Sequence, residues 1–244
     1  MLKTEHNSCT RQGKIYSFQS LCRSGSTPII EWLRKKIPPN LNSVFYPYEF
    51  FYPARIDLAK RDIHECPSVI LHNQPSNLIC DYNFYLFVNK FYKTFNLPNL
   101  TNVVVVRDFA NFICSRWAHP ALKTKFDQGL HLDTTILQWK MHATMGDHIK
   151  IFYNKWLTSP DYRKQISLKF NLNPEIDDIS FIPGWRGGST FHHQNPPASV
   201  QEYLTRYNHV NLPLSFKKRI LGDDHLIELN KKCFNINLDE IFKY

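Results

Sequence analysis

Neither Gly-Lys-Ser nor Gly-Lys-Thr occurs anywhere in the 244 residues, which excludes the common ATP- and GTP-binding loop Gly-x4-Gly-Lys-Ser/Thr. The six cysteines form no Cys-x-x-Cys pair and begin no Cys-x5-Arg phosphatase loop. Eleven histidines are scattered, and His192-His193 alone is a poor metal site, so no metal is expected. No apolar stretch approaches the ~20 residues of a membrane span. The start, Met1-Leu2-Lys3-Thr4-Glu5-His6-Asn7, does not read as a signal peptide. A cytoplasmic protein is therefore expected, with Cys22, Cys80 and Cys114 as reduced, mostly buried thiols. Repeats, low-complexity tracts and a compact Lys/Arg block are also absent. The net charge of +9 thus suits a basic surface that attracts anionic ligands, with no nucleic-acid partner expected.

What is present favours one compact domain. Apolar residues make up 43% of the chain and aromatic residues 14%, enough to bury a core and to exclude disorder. Strand patterns at about 15–21, 43–46, 68–72, 102–107 and 149–153 alternate with helical patterns at 28–37, 54–63, 80–95, 108–117 and 133–146. A further helix begins at Ser159-Pro160, residues 198–244 read as helical, and residues 1–13 read as a flexible start. Such alternation predicts a mainly parallel sheet covered by helices on both faces, a single-domain α/β/α architecture over 1–244.

The most informative stretch runs from Ile15 to Ile37. Ile15-Tyr16-Ser17-Phe18-Gln19-Ser20-Leu21 has strand character and leads into the small-residue loop Cys22-Arg23-Ser24-Gly25-Ser26-Thr27. Pro28 then stands in the first turn of a helical pattern reaching Ile37. Strand, small-residue loop and helix start make a phosphate cradle, with backbone N–H groups, the helix dipole and the hydroxyls of Ser24, Ser26 and Thr27 facing the anion. An ordinary turn is the bland alternative. Trp32, one turn into the helix, fits the core better than a contact with a base.

A second anchor is Asn102-Val103-Val104-Val105-Val106-Arg107-Asp108. A continuous β-branched run predicts a strand buried on both faces. Asp108 is an N-cap candidate, which puts Arg107 at the strand's carboxyl end, where open α/β sheets bind ligands. Ser115, about two helical turns on, is expected on Arg107's side.

Arg23-Ser24-Gly25-Ser26-Thr27 resembles the 5′-phosphosulfate loop of sulfotransferases that use 3′-phosphoadenosine 5′-phosphosulfate (PAPS). The segment Arg107 to Ser115 is similar to that family's 3′-phosphate motif, strand-Arg-Asp-Pro-x-Asp-x-x-x-Ser, with Phe109 in place of the proline and Asn111 in place of the second acid. Those two departures weaken the turn chemistry and keep both phosphate ligands. A third echo, Ile149 to Tyr153 followed by Asn154-Lys155 and Ser159-Pro160, resembles the family's strand-Tyr-Glu-Asp-Leu element, which is assigned a structural role only. The Gly-rich loop around Arg186, Gly187 and Gly188 lies where the family's late loop closes on its nucleotide.

This resemblance, covering residues 15–191, implies a P-loop NTPase-like fold and transfer of a sulfuryl group from PAPS to a hydroxyl, without a metal, leaving 3′-phosphoadenosine 5′-phosphate (PAP). It assigns the nucleotide to Arg23, Ser24, Gly25, Ser26, Thr27, Arg107, Ser115, Arg186, Gly187 and Gly188. Arg23 would stabilise the leaving phosphate oxygen. Two candidates exist for the base that activates the acceptor. Glu49 lies among aromatics that would raise its pKa, and His72 ends a strand as a neutral imidazole. Arg23-Ser24-Gly25-Ser26-Thr27 combined with Glu49-Phe50-Phe51 resembles carbohydrate and glycolipid sulfotransferases, which implies a carbohydrate or glycolipid acceptor. Two other readings stand beside this one, a nucleotide or sugar kinase with a degenerate loop and a non-catalytic relative that binds PAPS or PAP.

Overall fold

The valine run sits where continuous β-branched character is most useful, near the centre of a parallel sheet. The computed structural model describes residues 14–21, 24–36, 43–46, 68–73, 100–119, 123, 132–146, 148–177, 179 and 199–243. Among these, the strands are β1 (Lys14–Ser20), β2 (Ser43–Tyr46), β3 (Ser68–Asn73), β4 (Leu100–Val106) and β5 (Ile149–Phe152). They form one sheet in the order β2-β3-β1-β4-β5, with each neighbouring pair parallel. The register places Phe18 between His72 and Val103, and Val105 beside Ile151.

Successive strand residues face opposite sides of a sheet, and the four valines divide accordingly. Val103 and Val105 join Phe18, Ile29, Leu33, Ile151 and Trp156 in one apolar cluster. Val104 and Val106 join Phe109, Phe112, Ile113, Ile136 and Trp139 in another. None of the four valines is more than 1% exposed. The chain is thus of the α/β class, with apolar clusters on both sides of β4.

The helices begin and end for identifiable reasons. α1 (Ser26–Lys36) starts two residues earlier than the sequence pattern suggests. Pro28 still falls in the first turn, where its missing N–H leaves no intrahelical bond unmade. α2 (Phe109–Trp117) follows its N-cap Asp108, whose carboxylate accepts the Asn111 N–H at 2.8 Å. β4 ends at Val106, so Arg107 is the residue after the strand, not its last. α3 (Leu132–Thr144) precedes β5, and α4 (Tyr153–Thr158) starts as soon as β5 ends. Ser159 caps α5 (Pro160–Lys169) by accepting the Tyr162 N–H at 3.1 Å. The C-terminal part is helical as expected, in short pieces: α6 (Val200–Leu204), a 3-10 turn (Arg206–His209), α7 (Leu214–Leu221), α8 (Asp224–Phe234) and α9 (Leu238–Ile241). Residues 1–13 and the expected helices at 54–63 and 80–95 lie outside the described residues.

No described helix is long and apolar enough to cross a membrane. Of the thiols, Cys114 is buried in α2 and Cys233 is half-buried, both free, while Cys22 and Cys80 lie outside the described residues. Burial, reinforced by the Asp108 carboxylate, pushes the Cys114 thiol up to about 12. Since the thiolate is the reactive form, native protein treated with iodoacetamide at neutral pH should keep Cys114 unmodified, and denatured protein should not. Peptide mass mapping reads the difference, and native labelling of Cys114 would contradict its burial.

Candidate functional site

Strand order reverses between β1 and β4. The chain leaves β1 towards β2 and β3 on one side and leaves β4 towards β5 on the other. The carboxyl ends of two such strands flank a crevice that open α/β sheets use for ligands. Here the ends of β1 and β4 carry the small-residue loop and Arg107.

The loop turns tightly. The Ser24 N–H donates to the Leu21 carbonyl at 3.0 Å. Ser20 Oγ donates to Ser26 Oγ, also at 3.0 Å, which ties the end of β1 to the first residue of α1. Gly25 has φ +87°, a conformation that side chains with a Cβ rarely adopt. Ser24 is 2% exposed, and its hydroxyl has no hydrogen-bond partner among the described residues. Thr27 is half-buried in the first turn of α1, a turn that contains no acidic residue. The helix N-terminus therefore keeps its partial positive charge uncancelled by a side chain of that turn.

Arg107 is held from several directions. Its carbonyl accepts the Trp139 indole N–H at 2.7 Å, and the next N–H but one, that of Phe109, donates to Asn230 Oδ1 at 2.8 Å. Its guanidinium lies over Tyr153, 5.2 Å from the ring centroid, and donates through Nη2 to the Tyr203 carbonyl at 3.2 Å. The residue is only 4% exposed, yet Nε has no hydrogen-bond partner among the described residues. A buried donor left unmade costs about 1–3 kcal/mol, and an anionic oxygen is the acceptor that would best satisfy it.

The two departures from the family motif have local explanations. A proline at 109 has no N–H to give Asn230. Asn111, fully buried, donates through Nδ2 to the Asp108 carboxylate at 3.0 Å and to the Leu204 carbonyl. An aspartate there would have no donor for Leu204 and would repel Asp108. The turn is therefore not weakened by the departures. It is tied instead to Asn230 and to the segment Tyr203-Leu204, contacts that the local sequence pattern does not carry.

Tyr153 is a residue to which the sequence reading gave only a structural role. Its ring lies against Gly25 so closely that a Cβ built on that glycine would stand 2.4 Å from ring carbon Cδ2. The same ring carries the Arg107 guanidinium, so one side chain joins the loop after β1 to the turn after β4. The signal available in advance was its place, the first residue beyond the carboxyl end of β5, the strand next to β4. Behind it, Arg206 is 4% exposed and stacks on Tyr203 at 4.2 Å. Burial pushes the Tyr203 hydroxyl up, against the opposing pull of Arg206, so it stays protonated at neutral pH.

Of the other candidates, Ser115 is buried in α2 at 2% exposure. His72 is in β3 and pairs with Phe18, at the same carboxyl edge as the loop. Trp32 is core, 3% exposed and edge-on to Trp156 at 5.9 Å. Arg23, Glu49, Arg186, Gly187 and Gly188 lie outside the described residues. Among the described residues no group of three or more His, Cys, Asp or Glu side chains could hold a metal ion. The structure therefore brings together the loop residues Ser24 to Thr27 and Arg107, through Tyr153. No protein-family model matches this chain, and no curated protein matches its sequence.

Proposed function

We propose that this chain is a PAPS-dependent sulfotransferase with a three-layer, P-loop-like α/β/α fold. The observation that carries the proposal is the meeting of two anion-binding elements at the strand-order reversal. One is the Ser24–Thr27 loop, with the buried Ser24 hydroxyl, the other Arg107 with its Nε, each without a hydrogen-bond partner among the described residues. A ligand with two separated phosphate-type groups, such as PAPS or PAP, suits two such elements. Strand order and the apolar clusters on both faces of β4 support the fold reading.

In this reading the 5′-phosphosulfate lies in the loop and the 3′-phosphate takes the free donor of Arg107, with Ser115 and the loop of Arg186, Gly187 and Gly188 completing the nucleotide site. An acceptor hydroxyl attacks sulfur in line, the sulfur–oxygen bond to the 5′-phosphate breaks, and Arg23 neutralises the charge growing on that leaving oxygen. The hydroxyl proton goes to Glu49 or to His72, and the carboxyl-edge position of His72 supports its candidacy. The acceptor is a carbohydrate or glycolipid hydroxyl, no metal takes part, no nucleic acid is bound, and the enzyme works in the cytoplasm.

Calorimetric titration with PAP, beside ATP with Mg²⁺, tests the proposal. PAP is expected to bind and ATP to bind much more weakly. Arg107→Ala should weaken PAP by about 10- to 100-fold, the scale of a hydrogen bond to a charged group. Preference for ATP, or no binding of PAP, would overturn the reading. With labelled PAPS and a cell extract as acceptor source, Arg23→Ala should abolish transfer.

A further inference from the structure

We infer that Tyr153 is the positioning residue that makes this site select a nucleotide with both a 3′- and a 5′-phosphate group over a 5′-monophosphate. The inference rests on the proposed function and deepens it. The residue is 3% exposed, and its ring lies against the Gly25 backbone and beneath the Arg107 guanidinium. It has little freedom to move away. The Trp156 ring lies 5.8 Å from it, one helical turn on, and the Trp156 carbonyl accepts Arg163 Nη1 at 2.7 Å. Arg163 is in turn paired in bidentate fashion with Asp177, at 2.7 and 2.8 Å. The short helix α4 is thereby held where β5 ends.

A guanidinium held over an aromatic ring is restrained by that contact, which limits where its planar fork of donors can point. Of its five N–H donors, one on Nη2 is given to the Tyr203 carbonyl, and Nε is buried with no hydrogen-bond partner among the described residues, so Nε is a donor whose direction the contact with the ring helps to fix. The same ring presses on the loop at Gly25. One ring, in contact with both, therefore sets the spacing of the loop and the Nε donor of Arg107. The hydroxyl of Tyr153 plays no part in that spacing, so phenylalanine should serve equally well.

The ratio of PAP affinity to AMP affinity, measured by calorimetry, tests this. Tyr153→Leu should lower the ratio by about tenfold, the scale of a desolvated cation–π contact, and Tyr153→Phe should restore it. Arg107→Lys, which keeps the charge and loses the flat face, should lower the ratio as well. It carries the test if thermal melting shows the leucine variant to be unfolded. In an Arg107→Ala background, Tyr153→Leu should have no further effect on the ratio. A PAP preference left intact by Tyr153→Leu or Arg107→Lys overturns the inference alone. So does loss of the preference in Tyr153→Phe. Wild-type protein that binds neither nucleotide overturns the sulfotransferase reading and this inference with it.

Discussion

Gly25→Ala is expected to destabilise the protein by about 2–5 kcal/mol and to abolish PAP binding. Two costs combine. An L-residue at φ +87° carries roughly 1–2 kcal/mol of backbone strain. Forcing a methyl group into a filled space adds about 1–3 kcal/mol. The methyl would stand 2.4 Å and 2.5 Å from two carbons of the Tyr153 ring, a side chain packed beside Trp156 and beneath Arg107. Either the loop or the ring has to give way, and both are parts of the proposed anion site. Thermal unfolding followed by circular dichroism measures the first effect, and the PAP titration measures the second. Adding Tyr153→Ala should relieve the steric part while the backbone strain persists, so the double variant should be more stable than Gly25→Ala, provided the cavity left by the lost ring can collapse. A Gly25→Ala protein as stable as wild type would show that the ring does not lie over the loop.

The second large effect is on pH-dependent stability. His142 in α3 is fully buried, and burial, with a smaller contribution from neighbouring His148, pushes its imidazole down from 6.5 to about 3. In the unfolded chain the same group takes up its proton near its ordinary value of 6.5. Between those two values the unfolded state therefore binds more protons, and stability falls as pH falls. The contribution is fully present above 6.5 and is lost on the way down to 3. Each unit of falling pH should raise the unfolding equilibrium constant about tenfold, or roughly three-thousandfold across the window. Urea titrations at several pH values measure this slope. His142→Gln should flatten it by one proton, and an unchanged slope would place the acid sensitivity elsewhere.

Much of the framework was legible in advance because it depends on local chemistry. Val103 to Val106 could only be accommodated well in a strand covered on both sides. Asp108 capped its helix because a carboxylate three residues before a free N–H satisfies it at little entropic cost. Pro28 and the Ser159-Pro160 pair marked helix starts for the same local reason. The α1 boundary was missed by two residues because Ser26 and Thr27 continue the helix ahead of the proline, and hydroxyl residues read equally well as loop.

The candidate site was legible only in outline. Ser24, Gly25 and Arg107 could be named from their motifs, but their mutual placement depended on strand order, which brings β1 beside β4. The guanidinium of Arg107 is held by the Tyr203 carbonyl, and its turn is fastened by Trp139 and Asn230. None of these partners is near it in the chain, and one of the contacts is to a backbone carbonyl that any residue would supply. Tyr153 looked structural for the same reason, since its neighbours Gly25 and Arg107 are distant in sequence. By itself the sequence determined the α/β class, the strand and helix starts and the residue types able to hold an anion, because each depends on side chains within a few residues of one another. Only the tertiary structure decided that Tyr153 joins loop and arginine, that Asn111 latches Leu204 and that Nε of Arg107 is buried without a partner among the described residues. Those outcomes depend on contacts between distant segments, where packing geometry rather than local preference decides.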